Sequence, residues 1–521
     1  MGGKMRLIDF FERGLRYWSE TPCLVDSTGS LTYAEVSLRS HQTASALTSN
    51  GLKPGDIVAI LSQNCSKAFE AWIGAARADG VWVGLAALNS VSENTYILNH
   101  RHAKWLFIHS DFKKQIPQIQ KDCPELENII CLDEKVDDYL TFEEFIDNHS
   151  DNFPPIPYDR GSIISHFSSG GTTGQPKGAM WTSLIWQAWS ANVLAHLPMK
   201  KRPVHLVASS MAHGAGIFVW PIMAFGGTIV SISRADPQSV LGAIQEHGVT
   251  HTFLPPTVIY MMLSHPNAKE YDCSSMDYLV YGGAPMSADK VKEAIEVFGP
   301  CMTQIYGQAE CPVTIGILSP EEHIEAIEDP DKEHRLLSCG RAPVFVQTEI
   351  MSDEGHLVEE GEWGEIVVRG EIVSLGYYGD PEATAEIQEY GWHHTGDVGY
   401  KDNDGFIYIV DRKKDMIISG GLNVFPIEIE RLIWSFDQVQ DCVVIGIPDE
   451  KWGEAVKAVV ELKSGEILQE EDVIKLCKAE LAAYKVPKTV EFWDELPRSP
   501  VGKVLKKEVR KKFWAGIDRK I

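Results

Sequence analysis

Short apolar runs alternate with helix-like segments between about residues 30 and 310 of the chain. One helix-like segment, residues 33–50, ends at Gly51, and glycine is common just beyond helix C-termini. Continuous apolar runs of this length are typical of strands buried on both faces of a parallel sheet. Together the runs and the helices predict an α/β architecture. The runs are DIVAIL (56–61), WLFIHS (105–110), HLVASS (205–210), TIVSIS (228–233) and YLVYGG (278–283).

The chain is long enough for more than one domain, because 521 residues exceed what one hydrophobic core usually supports. Hairpin-like segments with polar turns predict a β-rich subdomain at about 340–411. We place the main boundary at 411–415, with an N-terminal domain over 1–411, a hinge over 412–415 and a small α+β domain over 416–521. In the small domain we expect strands at 443–447 and 455–462, and a helix near 470–484 with Val473, Ile474, Cys477 and Leu481 on one face.

Composition and charge exclude several classes of protein. A net charge of -25 argues against non-specific binding to nucleic acid. The ten cysteines contain no CxxC pair, which predicts reduced, buried thiols. Residues 207–233 belong to the longest stretch without Asp, Glu, Lys or Arg and contain Pro221 and a Gly226-Gly227 break, so we interpret them as a strand, a loop, a helix and another strand. We expect a cytoplasmic protein with no integral membrane segment. A homodimer is compatible with the sequence, which does not fix the oligomeric state.

The sequence SSGGTTGQPKG at 168–178 follows the apolar run SIISHF. Glycines let a backbone approach a ligand closely, while hydroxyls, backbone N–H groups and a lysine bind phosphate oxygens. Pro176 separates Gln175 from Lys177, so this is not a Walker A loop. A flexible surface loop would have a similar composition, but the ordered PKG ending favours a phosphate site. Its candidate residues are Ser169, Gly170, Thr172, Thr173, Gly174 and Lys177.

This loop resembles the signature of the adenylate-forming superfamily, which includes acyl-CoA synthetases, luciferases and peptide-synthetase adenylation domains. Five further motifs follow in the family's order, and six motifs in order are far more specific than any one of them. The resemblance covers nearly the whole chain and implies a large N-terminal domain with a small, mobile C-terminal domain. The five motifs are GGAPM (282–286), YGQAE (306–310), HTGD (394–397), YIVDRKKDMI (408–417) and PRSPVGKV (497–504).

The resemblance implies an ATP site. The loop would hold the β- and γ-phosphates, and Tyr306 would lie against the adenine ring. Asp397 would accept hydrogen bonds from the ribose hydroxyls, with support from Arg412. Without the family context, the three residues would be interpreted as a core tyrosine, a turn aspartate and a solvated arginine. The remaining adenine-side candidates are Gly283, Ala284, Pro285, Gly307 and Gln308.

Catalytic roles follow from the same resemblance. Glu310, with Thr173, would bind a Mg²⁺ ion that bridges the phosphates. Lys503 would neutralise the carboxylate and the α-phosphate as they approach each other, although a lysine in a Lys-rich tail is otherwise solvated. His213 would lie near the carboxylate; the alternative is a buried histidine bonded to backbone. Ala309 replaces the threonine of the family's YGxTE motif, which removes one hydroxyl contact worth about 0.5–1.5 kcal/mol.

Two half-reactions are implied by the family's domain rotation. Lys414 occupies the hinge position, and Gly420 and Gly421 would line a tunnel for the pantetheine thiol of CoA. In one orientation Lys503 would reach the adenylation site, and in the other the tunnel would form.

The substrate is expected to be an apolar acid. Amino-acid-activating relatives place an acidic residue in the region of His213, and none occurs between Val207 and Ser233. The predicted function is activation of a fatty, alicyclic or aromatic acid to acyl-AMP, then thioester formation with CoA and release of AMP and pyrophosphate. The alternatives are a carrier protein or oxygen as acceptor, or a non-catalytic nucleotide-binding protein. Aromatic residues of the acyl pocket, which are equally compatible with a core, are drawn from Trp186, Trp189, His213, Phe218 and the strand before Gly282.

Overall fold

The computed structural model describes residues 5–156, 161–168, 175–449, 451–498 and 504–514. They form a mixed α/β protein, which confirms the predicted fold class. Its strands in chain order are β1 (Pro22–Asp26), β2 (Gly29–Thr32), β3 (Ile57–Leu61), β4 (Val81–Leu85), β5 (Trp105–Ile108), β6 (Asn128–Cys131), β7 (Ile163–Ser168), β8 (Gly178–Thr182), β9 (Val204–Val207), β10 (Thr228–Ser231), β11 (His251–Leu254), β12 (Tyr278–Gly282), β13 (Met302–Tyr306), β14 (Gly316–Leu318), β15 (Gln347–Met351), β16 (Gly364–Arg369), β17 (Gln388–Glu389), β18 (Trp392–Lys401), β19 (Ile407–Arg412), β20 (Ile417–Ser419), β21 (Leu422–Val424), β22 (Val439–Asp449), β23 (Gly453–Leu462) and β24 (Thr489–Trp493).

Helices connect most of these strands. The α-helices are α1 (Ile8–Trp18), α2 (Tyr33–Ser49), α3 (Ser66–Arg77), α4 (Val91–His100), α5 (Ile116–Asp122), α6 (Phe142–Ile146), α7 (Ser183–His196), α8 (Gly214–Ile217), α9 (Val219–Ala224), α10 (Pro237–His247), α11 (Pro256–Leu263), α12 (Ala288–Phe298), α13 (Pro320–Glu328), α14 (Pro381–Glu386), α15 (Pro426–Trp434), α16 (Glu470–Glu480) and α17 (Lys506–Lys511). Short 3₁₀ helices span Ser110–Gln115, Ala268–Glu270, Pro330–Leu337 and Lys413–Asp415.

Two large, mostly parallel sheets position the candidate site. The first has the order β6-β5-β3-β4-β7-β8, and only the β7–β8 pair is antiparallel. The second has the order β14-β13-β12-β11-β9-β10-β1-β2, with antiparallel pairs only at its two edges. Because the carboxyl ends of parallel strands share one edge, the segments that follow β12 and β13 lie beside each other.

Two smaller sheets follow along the chain. One has the order β15-β16-β18-β17, with β19 also paired to β18, and it contains the predicted β-rich region. The other has the order β21-β20-β23-β22, with β24 paired in parallel to β23. A core of buried Ile, Val and Cys side chains packs between this last sheet and helices α15 and α16.

The described residues divide into two compact units by their contacts. The first unit comprises the residues up to Thr348 together with Val368–His393, and the second comprises Glu349–Val367 and the residues from His394 onward. The hinge at 412–415, predicted from the family's motifs, therefore lies inside the second unit. The boundaries that we assigned to the N-terminal and C-terminal domains stay a prediction.

Local structure agrees closely with the sequence patterns. Each of the five apolar runs contains a strand, and helix α2 begins at a Thr32–Glu35 capping box and ends before Gly51, whose φ is +99°. Residues 207–233 contain the end of β9, a loop and β10 as expected, but two short helices, α8 and α9, replace the single helix that was predicted. Helix α16 ends at Glu480 rather than near 484, because Leu481 already has extended backbone angles.

Bulky aromatic residues fill the interior of the first unit. Seven tryptophans are less than 2% exposed: Trp72, Trp82, Trp105, Trp181, Trp186, Trp189 and Trp220. The ten cysteines are free thiols and nine are buried, which confirms the prediction from their spacing. Within the described ranges, no helix is both long enough and apolar enough to cross a bilayer.

Candidate active site

The predicted phosphate loop joins β7 to β8, and its two stems are well defined. Ser168, the last residue of β7, pairs with Gly178, the first residue of β8, across the antiparallel ladder. Five of the loop's candidate residues lie outside the described ranges: Ser169, Gly170, Thr172, Thr173 and Gly174. The candidate catalytic residue Lys503 also lies outside them.

Lys177 stands at the second stem of the loop. Its ammonium lies 3.3 Å from a carboxylate oxygen of Asp380 and 4.9 Å from the centroid of the Tyr377 ring. Both side chains of the ion pair are partly exposed, so the pair is weak and its lysine can exchange a carboxylate for a phosphate at small cost. The structure thus shows the local partners of Lys177, and its phosphate-binding role stays a prediction.

The adenine-side candidates lie at the ends of two adjacent parallel strands. Gly282 ends β12, and Gly283 follows with a φ of +79°, a conformation that favours glycine. A side chain at Gly282 would clash with the carbonyl oxygen of Ile305 on β13, 2.4 Å from the position of a Cβ atom. Ala284 is partly buried, whereas Pro285 is exposed.

The neighbouring strand, β13, ends at Tyr306, which is 8% exposed. Gly307 follows it and packs tightly, since a Cβ atom there would lie 2.3 Å from the backbone of Val313. The backbone N–H of Gln308 donates to the carbonyl of Cys311 and so closes the turn. Val313 itself has a φ of +35°, which is rare for a β-branched residue and marks a strained turn beside the site.

Glu310 is 8% exposed and is fixed by the segment that precedes α14. The hydroxyl of Tyr377 donates to its carboxylate at 2.5 Å, and the backbone N–H of Ser374 donates to its carbonyl at 2.8 Å. The indole N–H of Trp181 donates to the carbonyl of Ala309 at 2.7 Å. The motif at 306–310 is therefore anchored on both sides of the substituted Ala309.

The ribose candidates face each other in the second unit. Asp397 on β18 is paired with Arg412 on β19, and the guanidinium Nε lies 2.5 Å from a carboxylate oxygen. Asp397 is buried, while the side chain of Arg412 is 47% exposed. The hydroxyl of Thr395 accepts from the N–H of Asp397 and donates to the carbonyl of Ile366. This pair would present one carboxylate and one cation from adjacent strands.

The predicted hinge is surrounded by buried, paired charges. Lys414 lies in the 3₁₀ helix Lys413–Asp415, and burial, together with nearby Arg412, lowers the pKa of its ammonium. Lys506, at the start of α17, lies 3.0 Å from Glu430 and 3.9 Å from Asp411. Burial opposes its charged form, but these carboxylates outweigh burial and raise the pKa of Lys506.

Gly420 and Gly421 form the two-residue turn between β20 and β21. Their φ angles of +61° and +80° match a tight hairpin turn, which explains the glycine pair. The N–H of Gly420 donates to the carbonyl of Trp452, and a Cβ atom at Gly420 would lie 2.7 Å from the Trp452 ring. Whether the turn lines a thiol tunnel stays a prediction.

His213 precedes helix α8 in the segment after β9. Its side chain is exposed to solvent, yet the surrounding protein desolvates it enough to lower its pKa. A side chain that solvent reaches but protein surrounds lies in a concave part of the surface. This placement is compatible with a residue that lines a substrate cleft.

The aromatic pocket candidates are packed in the core of the first unit. Trp186 is fully buried, and its indole N–H donates to the hydroxyl of Ser165 at 2.9 Å. Trp189 and Phe218 are also buried and meet edge to face, with ring centroids 5.3 Å apart. Their contact with a substrate stays a prediction.

Two positioning residues were missed in the sequence. Tyr377 belongs to the tandem GYYGD at 376–380 and orients Glu310, as described above. The side-chain amide of Asn64 donates to backbone carbonyls at the end of β9 and just after it, and its oxygen accepts from the N–H of Met211 at 2.9 Å. Asn64 thus holds the segment that leads to His213. A Ser-Gln-Asn cluster directly after a buried strand was the available signal.

Comparison with known proteins identifies the family of the chain. A family profile described as AMP-binding enzyme matches residues 11–378, and one described as AMP-binding enzyme C-terminal domain matches residues 428–503. The chain is 36% identical over 488 residues to a feruloyl-CoA synthase of an Amycolatopsis species, covering 93% of this chain and 94% of that protein. It is 33% identical to a medium/long-chain-fatty-acid–CoA ligase, FadD8, of Mycobacterium tuberculosis, covering 97% and 90%.

Solved structures give the same result at the level of the fold. The amide bond synthetase McbA from Marinactinospora thermotolerans superimposes with a TM-score of 0.86 at 28% identity, covering 97% of this chain and 100% of that one. A profile match over most of the chain, two relatives above 30% identity across nearly its full length, and six motifs in order all agree. The chain belongs to the family of AMP-binding enzymes, the adenylate-forming superfamily.

Proposed function

We propose that this enzyme activates an apolar carboxylic acid with ATP and transfers the acyl group to CoA. The carboxylate attacks the α-phosphorus of ATP, a bond forms between the acyl oxygen and phosphorus, and pyrophosphate leaves. The CoA thiolate then attacks the acyl carbon of the mixed anhydride, and AMP leaves with the shared oxygen. The first step makes an unreactive carboxylate into a good electrophile.

One observation supports the adenylation step above all others. The ends of β12 and β13, the stem of the phosphate loop and the anchored Glu310 all belong to one compact unit. Lys177 and Glu310 are both in contact with Tyr377, so a cation and a carboxylate are held by one side chain. A polyphosphate with a divalent cation needs this combination of charges.

A magnesium ion fits the donor chemistry at Glu310. Mg²⁺ in nucleotide sites is usually held by one or two carboxylates and by the phosphates, with water in its remaining positions. The Glu310 carboxylate is a hard oxygen ligand, and the Tyr377 hydroxyl fixes its orientation. When bound, the ion neutralises phosphate charge.

Three further features belong to the proposal: Thr173 as a second ligand of the ion, a cytoplasmic location and a homodimer.

The acid is proposed to be apolar, with a fatty or aromatic acyl group. The two relatives described above are named for fatty acids and for a hydroxycinnamic acid. The segment from Val207 to Ser233 has no acidic residue to pair with a substrate amine. A panel of acids in a pyrophosphate-release assay identifies the acyl group, and a preference for amino acids would contradict the proposal.

Lys503→Ala tests the catalytic step. We expect the rate of acid-dependent ATP–pyrophosphate exchange to fall about 10²- to 10³-fold, because a charge-stabilising donor in the transition state is lost. ATP binding, measured by calorimetry, should be retained. Lys511→Ala is the matched control, since Lys511 is another lysine of the same tail and pairs with Glu508 on the surface. Exchange at the wild-type rate in Lys503→Ala would contradict the assignment.

The acceptor needs its own experiment, because an amide bond synthetase shares the fold. With a saturating acid, CoA should accelerate AMP release and yield the acyl-CoA. The same reaction is run with a primary amine and with a phosphopantetheinylated carrier protein in place of CoA. Faster AMP release with either of these than with CoA would replace CoA as the acceptor while leaving adenylation intact.

A further inference from the structure

Arg101 is a fully buried arginine directly after helix α4. Its guanidinium Nη2 donates to the hydroxyl of Ser168 at 2.8 Å and to the carbonyl of Lys177 at 3.4 Å. Ser168 belongs to the Ser168–Gly178 pair that closes the hairpin, and Lys177 directly precedes Gly178, so the two acceptors lie on opposite stems. One side chain therefore joins both stems of the predicted phosphate loop.

No carboxylate balances this cation among the residues that the structure describes. Its Nε and Nη1 groups are buried and have no hydrogen-bond acceptor there. Burial lowers the pKa of Arg101 to about 10, with only the side chain of Tyr96 nearby as an opposing influence. A buried charge that lacks a partner is unfavourable in a protein interior, so its presence calls for an anion.

Other shielded arginines of the same unit are paired. Arg77 lies 2.6 Å from a carboxylate oxygen of Glu12, and its Nε donates to Ser40. Arg39 forms ion pairs with Glu70 and Glu143. Arg101 differs from them because its acceptors are neutral groups, a hydroxyl and a carbonyl, on the two stems of the loop.

Gly178 leaves space for the Arg101 guanidinium between the two stems of the hairpin. A Cβ atom at Gly178 would lie 2.9 Å from Nε and 3.1 Å from Cζ of Arg101. The glycine of the PKG ending thus has a role in this chain besides backbone freedom. Because Gly178 has no side chain, the planar guanidinium of Arg101 can pack directly against the start of β8.

We propose that Arg101 is a positioning residue for the polyphosphate of ATP and for pyrophosphate, fixing both stems of the loop with a charge that the bound anion balances. The proposal rests on the proposed adenylation function and adds a residue that none of the six motifs contains. Phosphate oxygens are the anions that this site meets in each catalytic cycle, and a buried cation attracts them more strongly than one in water.

The test compares ligand binding by Arg101→Met with binding by the wild-type chain. We expect the Kd for pyrophosphate and the KM for ATP to rise about 10- to 100-fold, the range for loss of a charged hydrogen-bonding group. Binding of adenosine, which has no phosphate, and the KM for the acid should stay within about twofold. Arg101→Lys should restore part of the affinity, because it keeps the charge but not the planar donors.

Two further variants keep the result interpretable. Gly178→Ala, which crowds the guanidinium without removing it, should weaken pyrophosphate binding in the same direction. Arg77→Met, the matched loss of a buried but paired arginine, should leave the Kd for pyrophosphate unchanged.

Wild-type affinity for pyrophosphate in a folded Arg101→Met protein would overturn this proposal alone. Equal weakening of adenosine and pyrophosphate would also overturn it, because the defect would then be structural. A wild-type chain that binds neither ATP nor pyrophosphate would overturn the proposed function.

Discussion

Buried charge is arranged in opposite ways at the loop stems of the first unit and around the hinge of the second. In the first unit, the Arg101 guanidinium at the loop stems has no carboxylate partner within the described residues, and Lys177 has only an exposed one. In the second unit, the shielded cations around the hinge are matched by carboxylates, as Lys506 is by Glu430 and Arg510 is by Asp415. At the loop stems, positive charge remains available for a ligand. Around the hinge, carboxylates of the protein itself neutralise the cations.

The difference suits two roles: the loop stems bind a ligand, and the region around the hinge maintains the structure of the second unit. An unbalanced buried cation lowers the stability of the empty protein but strengthens the binding of an anion. A balanced buried pair contributes little to net stability, yet breaking it is costly because one charge remains unpaired. We therefore expect substitutions at the loop stems of the first unit to change ligand affinity and substitutions around the hinge to change stability.

The largest effect is expected from Lys506→Met. This change leaves the buried carboxylates of Glu430 and Asp411 without their shared cation, and should lower the free energy of unfolding of the second unit by about 3–5 kcal/mol. Hydrogen exchange of the amides in β22 and β23 measures it. Lys511→Met removes an exposed ion pair of the same helix and should change exchange little. Similar exchange in the two variants would remove the distinction between the units.

A smaller effect is expected from Tyr377→Phe in the first unit. Loss of the hydroxyl leaves the Glu310 carboxylate without its donor and should raise the Mg²⁺ concentration for half-maximal pyrophosphate exchange about 10-fold. Thermal stability should change little. Tyr378→Phe is the control, because the adjacent ring packs on His166 rather than on Glu310. An unchanged Mg²⁺ requirement in Tyr377→Phe would mean that the hydroxyl does not orient a metal ligand.

The last prediction concerns the response of the first unit to acid. Burial lowers the pKa of His166 and His251 to about 3, and that of His205 and His323 to about 4. Below pH 6.5 the unfolded chain therefore binds more protons than the folded one, and stability falls as pH falls. Each histidine contributes about 1.4 kcal/mol per pH unit.

All four histidines belong to the first unit, so hydrogen exchange in β9 and β11 should accelerate from pH 6.5 to 5, after correction for intrinsic rates. The matched variant is His251→Phe, which should reduce the slope of stability against pH by one histidine's share. A slope as steep as that of the wild type would show that His251 is not neutral in the fold.

Much of the fold follows from the sequence alone. Apolar runs such as residues 278–283 mark buried parallel strands because no polar alternation interrupts them. The Gly420-Gly421 pair marks a tight hairpin because two consecutive positive φ angles need glycine. The end of α16 was predicted about four residues too late, since nothing in the residues after Glu480 stops a helix as glycine or proline would.

The site divides in the same way. Motif residues such as Glu310 and Asp397 could be predicted as site residues because their neighbours in the chain form family motifs. Arg101 was not found, because a single arginine in the sequence NHRHA looks like a surface residue. Its burial at the loop stems depends on the pairing of β7 with β8, and the absence of a carboxylate partner among the described residues depends on every element around it. Long-range contacts of this kind leave no local pattern.

The cluster of buried tryptophans in the first unit affects how the fluorescence of the protein can be used. Its seven most deeply buried indoles are shielded from solvent, whereas Trp363, Trp434 and Trp452 of the second unit are each at least 40% exposed. Shielded indoles emit at shorter wavelengths and resist collisional quenchers, while exposed ones emit at longer wavelengths and are quenched readily. Titration with acrylamide should therefore quench the three exposed indoles of the second unit before the seven shielded indoles of the first, without any label.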